Sequence, residues 1–174
     1  MENKLSNILK EGAVGLGLCQ PWTEAWGNCN QQELIDKYKK GIGFCTDKGY
    51  PSPEFIDDNF DKELLQLNGI YCNDNEILCE DNTPIYIIRG SSSIKAMVKP
   101  FGVKTIHVCE DSILYLRAKS LSKVFVRMHD NARLTVDADV ASKVYVYIHS
   151  SNAVVSYDGR GQVLIKKGVK EEKK

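Results

Sequence analysis

The sequence predicts an α+β chain. A helical N-terminal region precedes an all-β repeat domain, built as a short β-solenoid with coils of about 20 residues. Three observations carry this prediction. Apolar residues in the first half recur every three to four positions, the helical period. From Pro84 onward they recur at every second position, the strand period. Residues 85–167 then repeat at a spacing of 20: Ile106-His107-Val108-Cys109-Glu110-Asp111 lies over Val126-Arg127-Met128-His129-Asp130-Asn131 and over Val146-Tyr147-Ile148-His149-Ser150-Ser151. The expected division is a helical domain over 1–80, a β-repeat domain over 84–167 and a frayed, charged tail over 168–174.

The elements follow in chain order. Residues 2–11 place Leu5, Ile8 and Leu9 on one helical face, and Gly12 is expected to stop that helix. Trp22 and Trp26 stand four apart, on one side of a helical turn. Exposed, they would form an aromatic ligand-binding platform; buried, they anchor a core, which is the commoner use of large aromatics. Asn30 is an N-cap with Glu33 as its reciprocal partner. Leu34, Ile35, Tyr38, Ile42 and Cys45 continue as an apolar stripe that ends near Lys48-Gly49. Gly41 and Gly43 each weaken that helix by about 1 kcal/mol relative to Ala, and mark a kink or a close contact. Ser52 and Pro53 open a further helix that buries Phe55, Ile56, Phe60, Leu64 and Leu67 and closes at Asn68-Gly69. Its acidic residues Glu54, Asp57 and Asp58 complement the helix dipole. The cluster Asp57, Asp58, Asp61 and Glu63 lacks the spacing and turn glycine of a calcium loop. Residues 70–83 read as a connector, with a small hairpin of IYC and ILC around Asn73-Asp74-Asn75.

Within a repeat, Val124, Val126 and Met128 share one side of a strand, and Phe125 and Arg127 the other. After a corner, Leu134, Val136 and Ala138 point inward. Leu114, Leu134 and Val154 align, as do Leu116 with Val136 and Ala118 with Ala138. An antiparallel meander or barrel of hairpins would also have two strands per period. Identity column by column favours the solenoid, in which like residues stack about 4.8 Å apart. The first unit, residues 85–104, is degenerate, and the last is one residue short around Asp158-Gly159-Arg160-Gly161.

Composition limits function. Lys plus Arg and Asp plus Glu are 23 each, so no general attraction to nucleic acid or anionic lipid is expected. Gly12–Cys19 is too short to span a bilayer, and no secretory signal is legible, which leaves a cytoplasmic location. The six cysteines show no zinc-knuckle or dithiol spacing and are expected to be buried thiols.

Cys109, His129 and His149 occupy one column and have zinc-type side chains. Their outer members would lie about 9.6 Å apart, too far for bonds of about 2.0–2.3 Å to a single ion, so no metal is expected. No phosphate loop, nucleophile elbow or two-histidine zinc helix occurs, and no cofactor is expected. Asp111, Asp130 and Asp137 would be the carboxylates of a polysaccharide-cleaving flank, but the stack is short for gripping a glycan chain. The outward residues Tyr115, Phe125, Tyr145, Tyr147 and Arg127 are more aromatic than a solvated face requires, and point to an interface.

The segment NQQELIDKYKKGIGFC, followed by GYPSPEFI and a short β-repeat, resembles small uncharacterised bacterial proteins often carried by prophages or mobile elements. That resemblance implies no activity and no catalytic residues. The expectation is a non-enzymatic interaction or assembly module, with a protein partner or homo-oligomer; the alternative is a small carbohydrate-binding or polysaccharide-processing protein.

Overall fold

The computed structural model describes residues 2–79 and 81–167, with the backbone alone for residues 2 and 3. The expected tail, 168–174, lies outside the described residues. The chain divides into a unit ending at Asn68 and a unit beginning at Gly69. The expected boundary near Pro84 therefore moves forward.

The first unit contains α1 (Glu2–Gly15), α2 (Gln20–Glu24), α3 (Gln31–Lys40), α4 (Ile42–Lys48), α5 (Pro53–Asn59) and α6 (Lys62–Leu67). α1 runs past Gly12, so that glycine does not stop it. Its missing side chain instead makes room for Tyr50, whose ring a Cβ there would meet at 2.6 Å. The Tyr50 hydroxyl donates to the Leu9 carbonyl at 3.2 Å. Asn30 forms the expected capping box: it accepts from the Glu33 amide at 2.9 Å, and the Glu33 carboxylate accepts from the Asn30 amide at 2.8 Å. Gly41 breaks the helix between α3 and α4, and Gly49 ends α4 in the left-handed conformation. The single helix expected over 53–67 is two. Asp61 caps α6 by accepting from the Leu64 amide at 2.8 Å, a use of its carboxylate that dipole compensation did not anticipate. Leu9, Ala13, Trp26, Cys29 and Leu34 form the core. Ile8 and Leu67, expected on buried faces, are exposed.

The second unit is a parallel β-solenoid of about five turns with coils of about 20 residues. One sheet, sheet A, is ordered β1 (Ile70–Cys72), β3 (Ile85–Arg89), β5 (Val103–Val108), β7 (Lys123–Met128), β9 (Lys143–Ile148) and β11 (Gln162–Lys167). The other, sheet B, is ordered β10 (Val154–Gly159), β8 (Arg133–Ala138), β6 (Ile113–Ala118), β4 (Ser93–Val98) and β2 (Asn75–Leu78). Every pairing is parallel, which excludes the meander. β1 and β2 pair into different sheets, so they form the first rung and not a hairpin.

Corners let the chain pass from sheet to sheet. Glu110 and Asp130 take positive φ on one side, and Phe101, Leu121 and Ala141 on the other. A small residue then tucks inward. Ser92, Ser112, Ser122 and Ser142 are all buried, and Ser112 Oγ donates to the Gly90 carbonyl at 3.0 Å. Ser92 and Ser142 likewise donate to the Arg89 and Asp139 carbonyls at 2.7 Å, which avoids the roughly 1–3 kcal/mol cost of an unmet backbone group, whereas the buried Ser122 hydroxyl has no partner. The inward columns Val124-Val144-Val163 and Leu114-Leu134-Val155 fill the space between the sheets. The expected partner Val154 is instead in register with Arg133 and exposed. The reason is a longer corner at residues 149–153, offset by the tight turn at Gly159–Gly161. Gly159 there has φ of 102°, and a Cβ on it would meet the Ala138 nitrogen at 2.8 Å.

Candidate interaction surface

Parallel register turns each outward position into a column. On sheet A, Thr105, Phe125, Tyr145 and Leu164 form one, and His107, Arg127, Tyr147 and Lys166 the next. Lys123, Lys143 and Gln162 form a third. Phe125 and Tyr145 stack with centroids 5.1 Å apart and planes at 12°. The Arg127 guanidinium lies 5.4 Å from the Tyr147 centroid, and Lys166 Nζ lies 6.0 Å from it. Such cation–π contacts contribute about 0.5–1 kcal/mol at exposed sites. The outward positions of β5, β7, β9 and β11 hold Lys123, Arg127, Lys143 and Lys166 and no carboxylate. A chain of zero net charge therefore carries one basic, aromatic face.

Sheet B differs. Tyr115 sits there, in a column with Lys95, Thr135 and Ser156, so it does not share a face with Phe125, Tyr145 and Tyr147. Arg117, Asp137 and Asp158 form a mixed-charge column, with Arg117 Nε 3.6 Å from an Asp137 oxygen. The expected five-residue interface is thus four residues on sheet A, with Tyr115 apart from them.

The Cys109, His129, His149 column becomes a ring ladder. His129 and His149 stack with centroids 4.7 Å apart and planes at 7°, and His107 stacks on His129 at 6.4 Å. Imidazole lone pairs lie in the ring plane, so parallel rings do not aim at one ion between them. Among the described residues no group of three His, Cys, Asp or Glu side chains converges as a metal site. Burial, then the neighbouring Glu110, pushes the Cys109 thiol well above its ordinary range. His107 is 7 % exposed and its Nδ1 has no hydrogen-bond partner. Burial, with the cations and imidazoles around it, lowers its pKa to about 4.

The carboxylates considered for polysaccharide cleavage are spread through the stack. Asp111 accepts from Asn131 at 2.9 Å, and Asp130 accepts from the Glu110 amide at 3.1 Å. Glu110 in turn pairs with the buried Arg89 and accepts from the Gly90 amide at 2.9 Å. Asp137 faces Arg117 on sheet B. Trp26 is buried, with Nε1 donating to Ser6 Oγ at 3.1 Å, and Trp22 is half-buried beside Gly41. The two rings do not form an exposed platform.

Three features had not been singled out in the sequence. Lys104 occupies the inward column of Val124 and Val144, and its Nζ lies 3.7 Å from the Tyr86 centroid and 2.5 Å from Asp81 Oδ1. Burial lowers its pKa, and the Asp81 carboxylate partly restores it. The signal was present, as a lysine in an otherwise valine column. Second, Phe101, Leu121 and Val140 form an exposed apolar strip along one line of corners. Third, among the described residues no strand follows β10 and β11 in their sheets, and Tyr157 and Ile165 are exposed there.

No protein-family model matches the chain, and no curated protein or solved structure is detectably similar to it. No helix among the described residues is long and apolar enough to cross a membrane.

Proposed function

We propose that this protein is a non-enzymatic interaction or assembly module that engages a protein partner, or another copy of itself, through the outward face of sheet A. The carrying observation is the ordered, basic and aromatic ladder of Phe125, Tyr145, Tyr147 and Arg127, bordered by Lys123, Lys143 and Lys166. Large aromatics and arginine supply most of the energy in protein interfaces, and a face of one sign selects a partner of the other. Nucleic acid fits less well. Phe125 and Tyr145 already cover each other's ring faces, which base stacking would need. The buried Trp26 weakens the carbohydrate alternative. The reading includes a cytoplasmic location and the prophage or mobile-element setting that the resemblance implies.

A photo-crosslinking amino acid at position 145 tests it, with the same group at position 115 on sheet B as the control. One adduct of defined mass from position 145, absent from position 115 and lost on Arg127→Glu, is the expected result. Equal labelling from both sheets, or an adduct indifferent to Arg127→Glu, would refute the proposal.

A further inference from the structure

The two ends of the solenoid are finished differently. At the first rung, Ile70, Tyr71 and Cys72 of β1 are all buried, and β2 places the charged Glu76 in the inward column of Ile94. At the last rung the inward columns of Val136 and Val146 end in the apolar Tyr157 and Ile165, while that of Ile148 ends in Lys167 at the far end of β11. A charge on a terminal strand blunts a sheet edge, and both ends carry one, so the ends differ in the burial of β1 and the exposure of the last rung. Tyr157 is 60 % exposed, where Val136 beneath it is 1 %. Ile165 is 42 % exposed, where Val146 beneath it is 0 %. Among the described residues β10 and β11 are also the terminal strands of their sheets, and no further strand pairs with their outer edges.

We infer that two copies of this chain associate tail to tail through the last rung, β11 meeting its own counterpart across a two-fold axis. A two-fold pairs identical strands antiparallel, the isologous geometry that closes at a dimer. The β11 sequence suits it. With Leu164 on the axis, Leu164 opposes its own copy, Ile165 opposes Val163, Lys166 opposes Gln162, and Lys167 opposes Gly161. The apolar centre pairs with itself. Each Lys166 lies four residues, about 13 Å, from its counterpart, beyond the Debye length of about 10 Å at 0.1 M salt. Val155 and Tyr157 of β10 continue the interior across the junction on sheet B. Head-to-tail stacking is disfavoured, because β1 is already buried and Glu76 would face the apolar rung. This association uses the edge of β11, which adjoins the sheet A flank at Leu164 and Lys166, and it would double that face's length.

A rung about 20 Å long with sheets about 10 Å apart is a small face, so association should depend on concentration. Sedimentation equilibrium on the full chain, from about 5 to 500 μM, should show the mass rising from 19.5 kDa toward twice that value. Leu164→Lys places two ammonium groups together at the axis while leaving the inward columns intact. It should weaken the dimer at least about tenfold with an unchanged circular dichroism spectrum. Arg127→Glu should leave the dimer as it is, which separates this inference from the flank proposal. Removal of residues 168–174 should also leave it. A full chain that stays monomeric throughout, a dimer that tolerates Leu164→Lys, or self-association seen only after the tail is removed would each overturn it.

Discussion

Sheets A and B are made by the same repeat, have inward columns that are apolar apart from Lys104 and Lys167 on sheet A and Glu76 on sheet B, and pair in parallel throughout, yet their outward faces differ in kind. Sheet A carries stacked aromatics and cations without a carboxylate on β5, β7, β9 and β11. Sheet B alternates charge, with Arg117 against Asp137, and leaves Tyr115 over Thr135. Packing explains the shared part, since an inward residue is fixed by the volume it must fill on both neighbouring rungs. Packing does not require the aromatic ladder. The outward face of sheet A is therefore the part of the repeat on which the proposed interaction rests.

The inward columns should respond alike on both sheets, with the largest effects. Leu134→Ala on sheet B should cost about 2–5 kcal/mol and Val126→Ala on sheet A somewhat less, in proportion to the methyl groups removed. Chemical denaturation reads both. A mild loss on one sheet only would mean that the two sides do not share one core.

The next effect belongs to sheet A alone. The folded chain holds His107 near pKa 4, whereas the unfolded chain has its ordinary 6.5. Between those values the unfolded state binds the proton that the folded state refuses, so stability falls as pH drops. The contribution is complete above pH 6.5 and is lost toward pH 4, a span worth about 3 kcal/mol. His107→Gln should flatten that part of the curve of unfolding free energy against pH. An unchanged slope in the variant would remove His107 as its source.

Much of this contrast was legible in the sequence, and the misses have physical causes. Alternation at every second residue separated Val124, Val126 and Met128 from Phe125 and Arg127, because strand side chains must alternate. Tyr115 was grouped with the wrong face, since alternation gives in or out but not which sheet. Tyr115 and Phe125 stand half a period apart and so fall on opposite sheets. The first rung was hidden because Ile70 pairs with Ile87 and Asn75 with Ser93, off the 20-residue spacing. The long corner at 149–153 shifted Val154 out of its column, a change in loop length that conserves the apolar pattern one residue later. Among the candidate site residues, alternation sufficed to place Phe125, Tyr145, Tyr147 and Arg127 on one outward face; the pairing of Lys104 with Asp81 needed coordinates.

A smaller effect sharpens the comparison. Phe125→Ala and Tyr145→Ala should show a coupling of about 0.5–1.5 kcal/mol in a double-mutant cycle, as expected of stacked rings. Tyr115→Ala with Thr135→Ala, the corresponding neighbours on sheet B, should couple less. Equal coupling would mean that the ladder on sheet A owes nothing to ring stacking.

The smallest expected effect lies on sheet B. Arg117 and Asp137 are both about half exposed and their closest approach is 3.6 Å, so water and salt screen the pair. Arg117 Nη2 also reaches Asp139 at 4.0 Å, so losing one carboxylate leaves the guanidinium another. Arg117→Ala should therefore cost about 0.2–1 kcal/mol, and the loss should shrink further at 1 M salt. A loss of several kcal/mol would reveal a structural load on sheet B's outward face, and that face could then no longer serve as the neutral reference against which sheet A is judged.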